Sequence, residues 1–147
     1  MSIIEASMQL QERHWGGLIV IQKETGLRSY KEQGTQLKAE VTAPLLVSIL
    51  NPSSPLHDGA VIIQNDIIDA AACILTLTES KMIDPEMGTR HRAALGISEE
   101  TDAIVVLISE EKARISVAED GRFSHIGIDE VGLQKFLNDK MFISSGD

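Results

Sequence analysis

Cysteine occurs once, at Cys73, so no disulfide can close within the chain, and such usage suits a reducing compartment. Aromatic residues make up 3% of the 147 positions, too few for the stacking platforms that hold single-stranded nucleic acid. Basic residues are in deficit, 13 against 22 acidic ones, and the resulting net charge of −9 has the wrong sign for a general nucleic-acid binder. No apolar run approaches the ~20 residues needed to cross a bilayer. The opening Met1-Ser2-Ile3-Ile4-Glu5 has neither the basic start nor the long apolar stretch of a secretory leader, so the expectation is a cytoplasmic protein without a membrane segment. The glycine loops GxxxxGK[ST] and GxGxxG are missing, which excludes the familiar nucleotide cradles. There is no internal repeat, low-complexity tract or dividing linker.

What is present is the composition of one globular α/β domain, 43% hydrophobic and 24% charged. Residues 17–22, a short extended piece of 33–40, and 61–64, 67–77, 103–108 and 114–118 read as strands from their apolar and β-branched runs. Asn65-Asp66 and Asp120-Gly121 read as turns, which makes 61–64 and 67–77 antiparallel neighbours. Helices are expected over 4–14, from the cap at Thr42 with Pro44 in the first turn, from Thr89, and over 129–142, with a short helical turn within 27–31. Residues 78–87, including Pro85, and 98–102 read as loops. The expected architecture is a mixed, mostly antiparallel central sheet of about six strands flanked by four or five helices. An N-terminal helical segment at 1–16 precedes the domain at 17–142, and 143–147 forms a tail.

One stretch breaks a local rule. Thr89 can cap a helix that Ala93, Ala94, Leu95 and Ile97 continue, yet Arg90, His91 and Arg92 fall in its first turn. Cations at this positive end of the helix dipole each cost roughly 0.3–1 kcal/mol at exposed sites. Two readings stay open: a bound anion such as phosphate, which uncapped amides at a helix start attract, or a basic turn neutralised by some of the many carboxylates. Two further polar groups flank strong strands, His57-Asp58-Gly59-Ala60 and Ser109-Glu110-Glu111. Gly59 leaves room for close backbone approach, Asp58 and the glutamates are hard oxygen ligands for Mg²⁺ or Mn²⁺, and the arginines offer paired donors to phosphate. The plainer reading of each is a turn, a solvated charge pair and a structural histidine. Pattern alone stops at a phosphate-ligand site.

Asp58-Gly59-Ala60 and Arg90-His91-Arg92, with their flanks from Pro55 to Ile63, Gly88 to Glu99 and Ser109 to Glu111, resemble the two signature motifs of the diadenylate cyclase (DAC) domain family. The resemblance runs from about Gly17 to the final helix. The His57 version and the lack of a DNA-binding region place it nearer the sporulation and membrane-anchored types than the DNA-scanning type. It implies condensation of two ATP into cyclic di-AMP and two pyrophosphates by a face-to-face pair of protomers, with Mg²⁺ or Mn²⁺ as cofactor. The catalytic residues it implies are Asp58, Gly59, Ala60, Arg90, His91 and Arg92. Implied ATP contacts are Asp58, Gly59, Leu75, Thr76, Thr89, Arg90, His91, Arg92, Ser109 and Glu110. The implied metal ligands are Asp58 and Glu111, with His57 as a third candidate. Cys-Ile-Leu-Thr-Leu at 73–77 departs from the aromatic and Leu-Pro-Leu common in relatives. The alternative is a catalytically silent adenine-nucleotide-binding module.

Overall fold

The run Gly-Leu-Ile-Val-Ile at 17–21 is buried at every position, because it lies in the middle of a sheet covered on both faces. In chain order the computed structural model has α1 (Ser2–Arg13), β1 (Gly17–Ile21), α2 (Arg28–Glu32), β2 (Thr35–Glu40), α3 (Ala43–Ile49) and β3 (Ala60–Gln64). Then follow β4 (Ile67–Cys73), α4 (Thr89–Glu100), β5 (Ile104–Ser109), β6 (Arg114–Glu119), β7 (Arg122–Ile126) and α5 (Glu130–Ser144). It describes residues 1–80 and 88–144. The loop expected around Pro85 at 81–87, the tail at 145–147 and the side chain of Met141 lie outside the described residues.

The sheet has seven strands in the order β2-β4-β3-β1-β5-β6-β7, one more than the roughly six expected. Among the described residues only β1 and β3 pair in parallel; the other neighbours are antiparallel. Alternation along the strands feeds two cores. Ile19, Ile21, Val61, Ile63, Ile104, Val106, Ile108, Ile115 and Val117 face one core, shared with α1, α3 and α5. Leu18, Val20, Ala60, Ile62, Val105, Leu107 and Ala118 face the other, closed by Ala93, Ala94, Leu95 and Ile97 of α4. Helix α1 is built into the first core through Ile3, Ile4, Ala6 and Leu10.

The local chemistry follows the sequence at several junctions. Thr42 Oγ1 accepts from the Leu45 amide at 3.2 Å with Pro44 in the first turn, and Asp129 Oδ1 accepts from the Gly132 amide at 2.7 Å. Asn65 and Asp66 both take positive φ, 51° and 61°, the geometry of a two-residue hairpin.

Three expectations are corrected. Residues 98–100 belong to α4 rather than a loop, because Ser98 Oγ finds the Leu95 carbonyl at 2.9 Å and is satisfied within the helix. Thr89 is the first helical residue rather than the cap; the cap position is Gly88, with no side-chain acceptor. Strand β4 ends at Cys73, not near residue 77; Ala72, at φ 55°, lies in a bulge just before Cys73, the last residue paired with β3. Along α5, Leu133 and Leu137 carry the buried face, and Val131 is 76% exposed.

Segment 74–78 lies directly under α4. A Cβ on Gly96 would stand 1.8 Å from the Thr76 carbonyl oxygen, so only glycine permits this approach. The Thr78 amide donates to the Arg92 carbonyl at 3.0 Å, and Thr78 Oγ1 donates to Glu99 Oε2 at 2.6 Å.

Candidate functional site

A cavity of about 460 Å³, within the size range of small-molecule sites, opens where three segments meet. Gly88, Thr89, Arg90 and His91 come from the start of α4, Ser109 to Lys112 from the end of β5 and its turn, and Asp58 from the approach to β3. The strand register builds the floor: Leu107 pairs with Ser116 and Ser109 with Arg114, while Ser116 pairs with Ile126 of β7. Since 106, 108, 115 and 117 serve the opposite core, 107, 109, 114 and 116 fall on the α4 face.

Among the described residues no side chain caps the first turn of α4, and no acidic residue lies in that turn. Its first amides therefore have no intrahelical partner and border the cavity. Arg90 Nη1 reaches Glu110 Oε1 at 3.3 Å. Of the two readings of the basic turn, carboxylate neutralisation thus operates at Arg90, through an ion pair between side chains 28% and 54% exposed. Gly16 gives the guanidinium its seat, because a Cβ there would stand 2.6 Å from Nη1 and 2.9 Å from Cζ.

His91 packs edge-on against Phe123 with ring centroids 5.7 Å apart. Burial holds its pKa below the ordinary histidine value, and the positive charges of Arg114, Lys112 and Arg90, in that order, push it further down. The imidazole is therefore neutral at neutral pH, able to donate or accept a hydrogen bond beside the cations.

Asp58, Thr89, Arg90, His91, Ser109, Glu110 and Glu111 are brought together on this cavity. Gly59 and Ala60 are not on its lining. Gly59 takes φ +92°, and its missing side chain clears β4, where a Cβ would stand 2.8 Å from the Cys73 carbonyl oxygen. Ala60 is buried in the sheet opposite Cys73. His57 turns Nδ1 to the Ser54 carbonyl at 2.7 Å. Arg92 is half-buried beyond the lining, Leu75 is buried in the second core, and Thr76 is exposed on the segment under α4. Tyr30, which the sequence did not single out, donates to Glu100 and hydrogen-bonds Thr76; burial, then Glu100, raises its pKa. Cys73 is an inert core thiol, its pKa pushed up to about 11 by burial.

Among the described residues no group of three or more His, Cys, Asp or Glu side chains is gathered as a metal cluster. Asp58, Glu110 and Glu111 nevertheless line one cavity. That donor set fits a hard cation such as Mg²⁺, which binds through one or two carboxylates and completes its shell with water and substrate phosphates. Lining residues missed from the sequence are Leu107, Lys112, Arg114, Ser116, Phe123 and Ile126. The alternation of apolar Ile115 and Val117 was the available signal for Arg114 and Ser116.

Residues 4–123 match the family model described as DAC, DisA bacterial checkpoint controller nucleotide-binding. The chain is 46% identical over 136 residues to cyclic di-AMP synthase CdaA of Bacillus subtilis, covering 92% of this chain and 50% of that protein. It is 50% identical over 119 residues to diadenylate cyclase CdaS of Bacillus thuringiensis, covering 81% of this chain and 59% of that one. It thus spans about half the length of the curated relatives it matches. The crystal structure of a double mutant of DacA from Staphylococcus aureus is similar at a TM-score of 0.90 and 42% identity, over 93% of this chain and 91% of that one. A hypothetical membrane spanning protein from Bacillus cereus is similar at a TM-score of 0.82 and 48% identity, over 86% and 62% of the two chains.

Proposed function

The chain belongs to the DAC family, and on that premise we propose that it is a diadenylate cyclase, condensing two ATP into cyclic di-AMP and two pyrophosphates. The observation that carries the reading is the start of α4, with Arg90 and His91, facing Asp58, Ser109 and Glu110 across one cavity.

In the proposed reaction each 3′-hydroxyl oxygen bonds to the α-phosphorus of the other nucleotide. The bond from that phosphorus to the bridging oxygen breaks, and its electron pair leaves with pyrophosphate. Asp58, exposed at the cavity mouth, accepts the hydroxyl proton. Arg90 and the first amides of α4 hold the phosphate oxygens, and neutral His91 donates a hydrogen bond without adding charge. Ser109 positions the triphosphate from the β5 side. Asp58 and Glu111, with Glu110 beside them, would hold a Mg²⁺ or Mn²⁺ ion, which supplies charge neutralisation to the phosphates when bound. Leu75 and Thr76 would lie along the adenine.

Catalysis of this kind is positioning plus electrostatics; alignment alone is worth up to ~7–11 kcal/mol in favourable cases. One cavity takes one nucleotide, so the attacking partner is brought by a second copy facing the first across a two-fold axis. The test is incubation with ATP and Mn²⁺ or Mg²⁺, with chromatography for cyclic di-AMP. Asp58→Asn should lower product by about 10²-fold or more while ATP binding persists. A wild-type chain that binds ATP and forms no product at any enzyme concentration would be a silent nucleotide-binding module.

A further inference from the structure

Two cations on the wall opposite α4 have no part in the reaction as described. Lys112 sits on the turn after β5 and Arg114 opens β6, and both line the cavity with Arg90 and His91. Arg90 is already engaged by Glu110, whereas among the described residues neither Lys112 nor Arg114 forms an ion pair.

Their placement is set by the backbone. Arg114 pairs with Ser109, and its neighbour Ile115 enters the opposite core, so Arg114 falls on the α4 face. Its stem rests on Gly127, at φ +78°, where a Cβ would stand 3.2 Å from Arg114 Cδ and 3.4 Å from Cγ. The turn carrying Lys112 is anchored by Gln11, whose Nε2 donates to the Ala113 carbonyl at 2.9 Å. The charges of Arg114 and Lys112 both bear on His91 more strongly than that of its chain neighbour Arg90.

Resting on the cyclase reading, we propose that Lys112 and Arg114 form a second phosphate-binding wall that grips the β- and γ-phosphates and holds pyrophosphate as it leaves. As the bond to the bridging oxygen breaks, negative charge accumulates on the departing group. Glu110 and Glu111 on the same wall would repel it, and Arg90 would be the one side-chain cation serving both the carboxylate and the anion. Two further cations resolve that conflict by meeting the charge where it develops. The wall also selects by charge: it holds a pyrophosphate or triphosphate group and gives little to a nucleoside monophosphate.

The test uses the whole chain and metal-free ligands. Inorganic pyrophosphate and AMP are titrated calorimetrically into wild type and into Lys112→Gln/Arg114→Gln. Loss of two charge-assisted contacts should weaken pyrophosphate about tenfold or more and leave AMP within about twofold. Lys112→Arg/Arg114→Lys, which keeps both charges, should restore most of the affinity. Pyrophosphate binding within about twofold of wild type, or equal weakening of pyrophosphate and AMP, overturns the wall. Should the double variant melt abnormally, Lys112→Gln alone, an exposed substitution, carries the same comparison, with a loss of about threefold or more expected. Cyclic di-AMP formation by wild type is read separately. If none forms yet the variant loses pyrophosphate, the wall stands and the cyclase reading falls. If product forms and the variant binds pyrophosphate unchanged, the wall alone falls.

Discussion

Arg90 Nη1 and Glu110 Oε1 stand 3.3 Å apart and join the first turn of α4 to the end of β5. The pair spans the cavity at the place where phosphate oxygens would otherwise be met by the guanidinium. A ligand that takes Arg90 must displace Glu110, so the carboxylate competes with anions. With Glu110 54% exposed and screened by solvent, the pair contributes only about 0–1 kcal/mol to stability. Glu110→Gln should therefore shift Tm by no more than about 4 °C in a chain of this size. It should also strengthen metal-free pyrophosphate binding about fivefold, because one repulsive charge goes and Arg90 is released. Calorimetry on both properties checks this; weaker pyrophosphate binding would mean that Glu110 orients Arg90 instead of competing for it.

Gly96 sits mid-helix, where alanine would ordinarily be favoured by about 1 kcal/mol. Here the added Cβ would fall 1.8 Å from the Thr76 carbonyl oxygen, a backbone atom that Tyr30, Thr78 and α4 together hold in place. Overpacking of this kind costs about 1–3 kcal/mol or more, so Gly96→Ala should lower Tm by about 4–8 °C despite its better helix propensity. Differential scanning calorimetry decides it. An unchanged or raised Tm would show that segment 74–78 yields freely, and with it the wall proposed for adenine.

His91 gives the fold a pH dependence of known sign. Its pKa is lower folded than unfolded, so unfolding takes up a proton in the window between the folded value and about 6.5. The stabilising contribution is complete above about pH 6.5 and declines as pH falls through that window. His91→Gln should flatten the slope of denaturant-derived stability there. Pyrophosphate binding should act the opposite way on the ring: an added anion raises the His91 pKa, so affinity should grow as pH falls. NMR titration of the imidazole with and without pyrophosphate reads both effects, and a pKa at or above the ordinary value in the free chain would contradict them.

The elements that sequence reading placed well are those whose burial is lopsided or complete. β1, β3 and β5 are continuous apolar runs, and α3 announces itself through Thr42 and Pro44. The edges are the least legible. β2, Thr-Gln-Leu-Lys-Ala-Glu, reads only as a short extended piece of 33–40, and β7, Arg-Phe-Ser-His-Ile, does not read as a strand; each has one neighbour and little burial, so neither carries the pattern of a central strand. The same limit governed the site. Asp58, Arg90 and Glu110 stood out as polar residues beside strong elements. Phe123 and Ile126 reach the cavity only through the pairing of β7 with β6, a register that no local pattern states.

Pairing of protomers leads to the sharpest expectation. The proposed product has two identical phosphodiester bonds, and each would be made where one copy presents Asp58 and the other presents an α-phosphate. Asp58 is exposed, so a facing copy can reach it. Specific activity should therefore rise with enzyme concentration until the dimer saturates, and fall away on dilution. Mixing wild type with an equal amount of Asp58→Asn tests the geometry directly. With random pairing only about a quarter of the dimers carry two intact aspartates, so at constant total enzyme cyclic di-AMP should drop to about a quarter rather than a half. Dimers with a single intact Asp58 can close one bond, and chromatography should show a linear dinucleotide accumulating beside the cyclic one. A yield of one half, no linear intermediate and turnover independent of concentration would place both bonds within a single copy and remove the need for a face-to-face pair.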